Sequence, residues 1–305
     1  MLLLAGALLG TAACESVSTA NPAAIAIAGE RVFPESITAD SLGTLYIGSN
    51  PGTIYRARSG DATATPWIVP NSQNGLQAVF GVFADEARQM LWACSNPAQG
   101  TSGPATLKAF DLASGALRAS HAFPGTGPAL CNDIAIGRDG RVWATDTIGG
   151  RIVTLPAGAS TLEEWAVSAD LRGIDGIAEG ADGTLYINNV QRNLLQRVER
   201  GPDGAFTGVR NLATSLPLSG PDGLRAIAGD RFIQAEGTGG RVALLTIEGD
   251  RAELMPIATG LDYPASVALV GTTAYIPEGK IDYLLDFAKR GQDPGRFTIH
   301  AVPLP

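Results

Sequence analysis

Ile177-Ala178-Glu179-Gly180-Ala181-Asp182-Gly183-Thr184-Leu185-Tyr186-Ile187-Asn188 reads as a short strand, a tight turn and a second strand. Asp182-Gly183 supplies the turn, because short hairpin loops need the positive φ that Gly adopts without a steric penalty. The same phrase recurs elsewhere. Ile37 to Gly48 carries Tyr46 where this stretch has Tyr186. Ile134 to Thr145 carries Trp143 there, with Asp139-Gly140 at its turn. Looser copies begin at Val82, Leu224 and Val267, which makes six.

Each hairpin is followed by a polar, Gly-rich loop and a third strand, as at Gly52-Thr-Ile-Tyr-Arg-Ala, Gly150-Arg-Ile-Val-Thr-Leu and Gly240-Arg-Val-Ala-Leu-Leu. A fourth apolar segment comes next, such as Thr65 to Val69 or Leu162 to Val167. Four strands per repeat, repeated about every 43 to 52 residues, is the period of a β-propeller. A β-helix repeats over far fewer residues. A (β/α) barrel needs long 3.6-period segments between its strands, and none is visible. The expected fold is therefore all-β: a six-bladed propeller of four-stranded antiparallel blades around a central metal-binding channel. The ring must close, and two strand-like ends are available, Ala24 to Ile27 and Gly295 to Val302. One is expected to add a strand to the other's blade.

The chain has 305 residues, a formal charge of −8 and a pI near 4.8. That balance argues against nucleic acid as a partner, since phosphate binding needs clustered Lys and Arg. Met1 to Ala13 carry no charge and read as an apolar signal segment too short to span a bilayer. Thr11-Ala12-Ala13-Cys14 resembles a lipoprotein cleavage site with Cys14 as the lipidated residue. The expectation is an exported protein, periplasmic or envelope-anchored through Cys14 and otherwise secreted. The membrane is then touched only through that anchor. Residues 1–23 read as leader and tether, and 24–305 as one propeller domain. Cys94 and Cys131 are too few for a disulfide framework and are read as buried thiols in preference to a bridge.

The repeats align on the apolar residue of the innermost strand: Ile37, Val82, Ile134, Ile177, Leu224 and Val267. Two residues earlier stand Glu35, Phe80, Asn132, Asp175, Asp222 and Ala265. Equivalent positions in a propeller form a ring about the axis, so four polar side chains should converge. Three like charges packed together are costly unless a cation neutralises them. Carboxylates with one amide oxygen suit a hard divalent ion, calcium first, with zinc, manganese or magnesium as alternatives. At any single position, Asp before Gly is also an ordinary turn former. The common register is what points to a metal.

The pieces Pro34-Glu35-Ser36, Cys131-Asn132-Asp133, Gly173-Ile174-Asp175-Gly176 and Gly220-Pro221-Asp222-Gly223 resemble the metal-binding motifs of the SMP-30/gluconolactonase/luciferin-regenerating-enzyme superfamily. Paraoxonases and strictosidine-synthase-like proteins are its relatives. The resemblance runs over roughly residues 30 to 290. It implies that Glu35, Asn132, Asp175 and Asp222 bind a catalytic metal. It also implies that Asp222 is the general base or the group that orients the attacking water. Three departures stand out. Position 175 is Asp where the family usually has Asn. Leu130 stands where sugar lactonases carry a substrate-binding Arg. The only histidines, His121 and His300, fall on expected outer strands, so the paired histidines of paraoxonases are not matched.

Loops after the second strand of each blade should rim the same face. They offer Asn50, Asn96, Asp146, Asn188, Glu236 and Glu278 as substrate contacts, with Phe80 as an apolar wall beside the metal. Solvated loop polarity is the plainer reading of these residues. The expected activity is metal-dependent hydrolysis of a small-molecule lactone or ester. The alternative is a non-catalytic exported propeller whose structural calcium supports binding of a ligand or partner protein. No Gly-x-Ser-x-Gly elbow is present, and Gly237-Thr238-Gly239-Gly240 lies between two strands, which suits a hairpin loop and not a nucleotide site.

Overall fold

The protein is described by a computed structural model covering residues 23–98 and 101–305. The leader and Cys14 lie outside the described residues. The strands fall into six four-stranded antiparallel units, named blades one to six in chain order. Their innermost strands are Pro34–Ala39, Ala78–Asp85, Cys131–Ile136, Ile174–Glu179, Pro221–Ala228 and Ala268–Val270. The quoted Ile177 phrase forms the first hairpin of blade four, in which Ile177 faces Ile187 and Ala178 faces Tyr186. Gly140 and Gly183 take φ of 81° and 87° at their turns, the conformation for which Gly was expected there.

The ends of the chain close the ring. Ile25–Ile27 is the outermost strand of blade six, pairing Ile25 with Ile299 and Ile27 with Phe297. It also runs parallel to the outer strand of blade one, so those two blades form one eight-stranded sheet. Beyond the sequence reading, a short strand Ala213–Thr214 pairs in parallel with the outer strand of blade five. Two short helical turns, Ala169–Leu171 and Asp282–Leu285, sit in loops.

Apolar side chains form six cores, one in each gap between neighbouring blades. This explains the aromatic at a fixed offset in the repeat. Tyr46 packs on Trp67 at 5.2 Å, Trp143 on Trp165 at 4.9 Å, and Tyr186 reaches Phe232 of the next blade at 5.0 Å. A buried aromatic contributes a large apolar area to the seam that holds adjacent blades.

The cysteines correct the sequence reading. Cys94 and Cys131 are bonded to each other, with Cα atoms 5.1 Å apart. Counting cysteines cannot decide this, because the pairing depends on two blades meeting. Cys94 lies on the second strand of blade two and Cys131 opens the innermost strand of blade three.

Candidate functional site

Glu35, Phe80, Asn132, Asp175 and Asp222 all lie on innermost strands, and each sits where its first hairpin slips register. The irregularities fall between Pro34 and Ser36, Val79 and Val82, Cys131 and Ile134, Ile174 and Ile177, and Pro221 and Leu224. A bulge turns a side chain out of the regular alternation of a strand. Here it turns the same register position of each blade toward the axis.

The next residue, glycine in blades two, four and five, shows how tightly the ring is drawn. A Cβ on Gly81 would lie 2.3 Å from the Asn132 carbonyl oxygen, and one on Gly176 would lie 2.2 Å from that of Asp222. Gly223 donates its N–H to the Ala265 carbonyl at 2.9 Å. In blades two, four and five glycine is needed because the next blade's backbone presses on this position.

The four polar ring side chains are brought together. Asn132 Nδ2 donates to Asp175 Oδ2 at 2.7 Å and to Thr147 Oγ1 at 2.9 Å. Asp222 stands beside Asp175, and each carboxyl influences the other's hold on its proton. Burial, then the charge of Asp175, pushes the Glu35 carboxyl up to about 8. Burial pushes Asp175 up to about 7, partly offset by its bonds from Asp222 and Asn132. Asp222 is held well above the usual carboxylate range by burial, then by Asp175 and Glu35. Asp175 is buried, whereas Glu35, Asn132 and Asp222 stay partly accessible. The crowded carboxyls therefore retain protons in each other's presence.

This donor set fits a hard cation in chemistry, although no three His, Cys, Asp or Glu groups among the described residues stand ready-made around one point. Holding a metal would require these side chains to draw closer, and the Asn132–Asp175 bond is one contact that would rearrange. One further oxygen stands beside it. Asn188 is fully buried and donates from Nδ2 to the Asp222 carbonyl at 2.7 Å, while its Oδ1 has no partner.

Sequence reasoning missed two residues. Below the ring, Asp133 is paired with Arg225 at 2.6 Å, both largely buried, and Arg225 reaches Ser36 at 3.4 Å. Arg225 is three residues past Asp222, so it points into the same channel. There it borders a cavity of about 210 Å³ lined by Phe83, Ala135, Ala178 and Ala268, the same register position in four other blades. The second is Tyr263, half-buried, whose phenol feels the charge of Asp222, Glu35 and Asp175. The repeat alignment held the signal for both, since one Arg and one Tyr stand where other blades carry small or apolar residues.

Three of the rim residues are buried and engaged within the protein. Asp146 is fully buried, pairs with Arg151 at 2.6 Å and accepts from the Leu130 and Gly149 amides. Glu236 is likewise buried against Arg241 and the Ser219 amide. Asn96 bonds both the N–H and the carbonyl of Cys131. These three fix loops. Glu278 accepts from the Asp262 amide and lies 3.3 Å from His300. Asn50 and Phe80 remain partly accessible. His121 is partly accessible, at 2.8 Å from the Ser160 carbonyl. A hollow of about 650 Å³ lies at the hairpin turns of the first two blades and contains no ring residue.

Comparison with known proteins agrees with this architecture. Residues 20–57 match a family model described as strictosidine synthase-like, N-terminal. No curated protein matches the sequence. The fold is similar to luciferin-regenerating enzyme, with a TM-score of 0.68 at 15% identity over 92% of this chain and 95% of that one. It is also similar to a candidate gluconolactonase (TM-score 0.62, 15% identity, 93% and 94% covered). A third likeness is to virginiamycin B lyase from Staphylococcus aureus (TM-score 0.59, 17% identity, 93% and 99% covered).

Proposed function

We propose, from the premise that this chain is a propeller resembling the SMP-30/gluconolactonase/luciferin-regenerating-enzyme superfamily, that it is a metal-dependent hydrolase opening a lactone or related ester at the acidic ring. The observation that carries this reading is the convergence of Glu35, Asn132, Asp175 and Asp222 on one ring, where three proton-retaining carboxyls stand beside one amide. Such a cluster is unfavourable for folding unless its charge is used. These four residues would hold the ion, and their all-oxygen donor set favours calcium. When bound, a hard divalent cation supplies the positive charge that lets the carboxyls ionise and that polarises a substrate carbonyl.

The chain's own residues do the rest. Asp222 takes a proton from the attacking water at its carboxylate oxygen and returns it to the leaving alkoxide oxygen. The acyl C–O bond breaks as the new one forms, giving an acid and an alcohol. Asn188 steadies Asp222 through its backbone carbonyl. Thr147 and Asp175 take the Asn132 amide nitrogen, leaving the amide oxygen for a cation. Phe80 gives the mouth an apolar side. Export, with an anchor at Cys14, is part of the proposal, and a disulfide suits an oxidising compartment.

The use of Asn96, Asp146 and Glu236 within their own loops favours a second reading, a non-catalytic propeller with a structural calcium. The deciding experiment titrates calcium, zinc, manganese and magnesium into chelator-treated protein, then assays lactones and aryl esters with the preferred ion. Metal-dependent turnover lost in Asp222→Ala supports the hydrolase. Tight binding without turnover supports the second reading, and no binding removes the metal site.

A further inference from the structure

Tyr263 stands two residues before Ala265, the ring position of blade six. Its counterparts in the first five blades are Phe33, Ala78, Leu130, Gly173 and Gly220. The backbone at this place has a shared task. The carbonyls of Phe33, Leu130, Gly173, Gly220 and Tyr263 accept from the amides of Asn50, Thr147, Val190, Gly237 and Gly279, each in the loop after the blade's second strand. At four of the six positions the backbone is left-handed, with φ of 44° at Phe33, 81° at Gly173, 60° at Gly220 and 55° at Tyr263. Glycine is what that conformation asks for, and a bulky residue there is a strained exception that needs a reason. Phe33 has one in its burial against Phe297, with ring centroids 5.2 Å apart.

Tyr263 only borders that same core and stays partly accessible. Its ring lies across Gly237, where an added Cβ would come within 2.6 Å of a ring carbon. Its hydroxyl makes no hydrogen bond among the described residues, yet it stands in the field of Asp222, Glu35 and Asp175. A phenol beside carboxyls keeps its proton and offers it as a donor. The left-handed backbone and the close approach to Gly237 hold the ring in place.

We infer that Tyr263 is a substrate-contacting residue of the acidic-ring site, donating a hydrogen bond from its neutral hydroxyl to an acceptor oxygen of the bound lactone or ester. This rests on the reading of the ring as the reaction centre. It also names a specificity: a ligand must present an oxygen acceptor on the blade-six side of the ring.

The test uses the full calcium-loaded chain and Tyr263→Phe. δ-Valerolactone and phenyl acetate serve as substrates, and δ-valerolactam serves as a carbonyl ligand that resists hydrolysis. Thermal midpoint and calcium affinity are expected to match wild type. Lactam affinity should fall about five- to ten-fold and kcat/KM about ten-fold or more, as for loss of one buried donor. Wild-type lactam binding that depends on Tyr263, with no turnover of either substrate, sinks the hydrolase but supports the contact. Equal lactam affinity in the two proteins overturns the contact even where wild type is an active hydrolase. Failure of wild type both to bind the lactam and to turn over either substrate overturns both.

Discussion

Asp133 and Arg225 are a charge pair in the wall of a channel that already holds Glu35, Asp175 and Asp222. Asp133 Oδ1 and Arg225 Nε have no partners, so the pair is imperfectly satisfied and its members depend on each other. Removing one partner of a buried pair leaves an uncompensated charge, typically at a cost of about 3–5 kcal/mol. Arg225→Met should therefore destabilise the protein by about that amount in urea unfolding. Adding Asp133→Asn should recover part of the loss, and additive effects in that cycle would show the two are not coupled. The sequence made the ring residues legible because four polar groups share one register. Arg225 stood outside that comparison. It is the only charged residue at its own register, and a single charge in an apolar series reads as surface until the channel is seen.

At the scale of the element, the recurring device is a bulged innermost strand whose glycine receives the next blade's backbone. Gly176 is the tightest case, with the Asp222 carbonyl 2.2 Å from where a Cβ would stand. That atom is backbone and cannot swing aside, so Gly176→Ala must push blades four and five apart at the ring. The expected cost is about 1–3 kcal/mol, as for overpacked cores, with a parallel loss of calcium affinity in titration. Gly183→Ala offers a contrast: nothing lies within 4 Å of its Cβ, so only its φ of 87° is penalised and metal binding should be unchanged. The hairpins were legible in the sequence because Asp-Gly turns and period-two patterning are local. The bulges and the Cys94–Cys131 bond were not, since both depend on how one blade meets the next. That bond places its crosslink one residue before Asn132. Cys94→Ala with Cys131→Ala should lower stability by about 2–4 kcal/mol and weaken calcium binding as Asn132 loses its anchor. Unaltered affinity would show that the Asn96 bonds to Cys131 hold the position alone.

At the scale of the whole molecule, the ring of six blades forces the carboxyls of three of them together, and closure by Ile25–Ile27 against Phe297–Ile299 holds the ring shut. Folding therefore raises the affinity of these carboxyls for protons, with Glu35 near 8 and Asp175 near 7. In the unfolded chain the same groups titrate at about 4. A group whose folded pKa is raised gives stability that is complete below its unfolded pKa. That stability is lost as pH rises through the folded value. In chelator the thermal midpoint should accordingly fall between about pH 4 and pH 8. This is opposite in direction to ordinary acid denaturation, where paired carboxylates give stability that is lost as pH falls. Calcium takes the place of the protons, so its stabilising shift should be small at pH 5 and large at pH 8, with protons released on binding. The measurement is a thermal-unfolding series across pH with chelator or calcium, paired with buffer-dependent titration calorimetry to count protons. A midpoint that rises with pH in chelator and ignores calcium would mean the ring neither retains protons nor holds the ion. The propeller would then be left without a reaction centre on its axis.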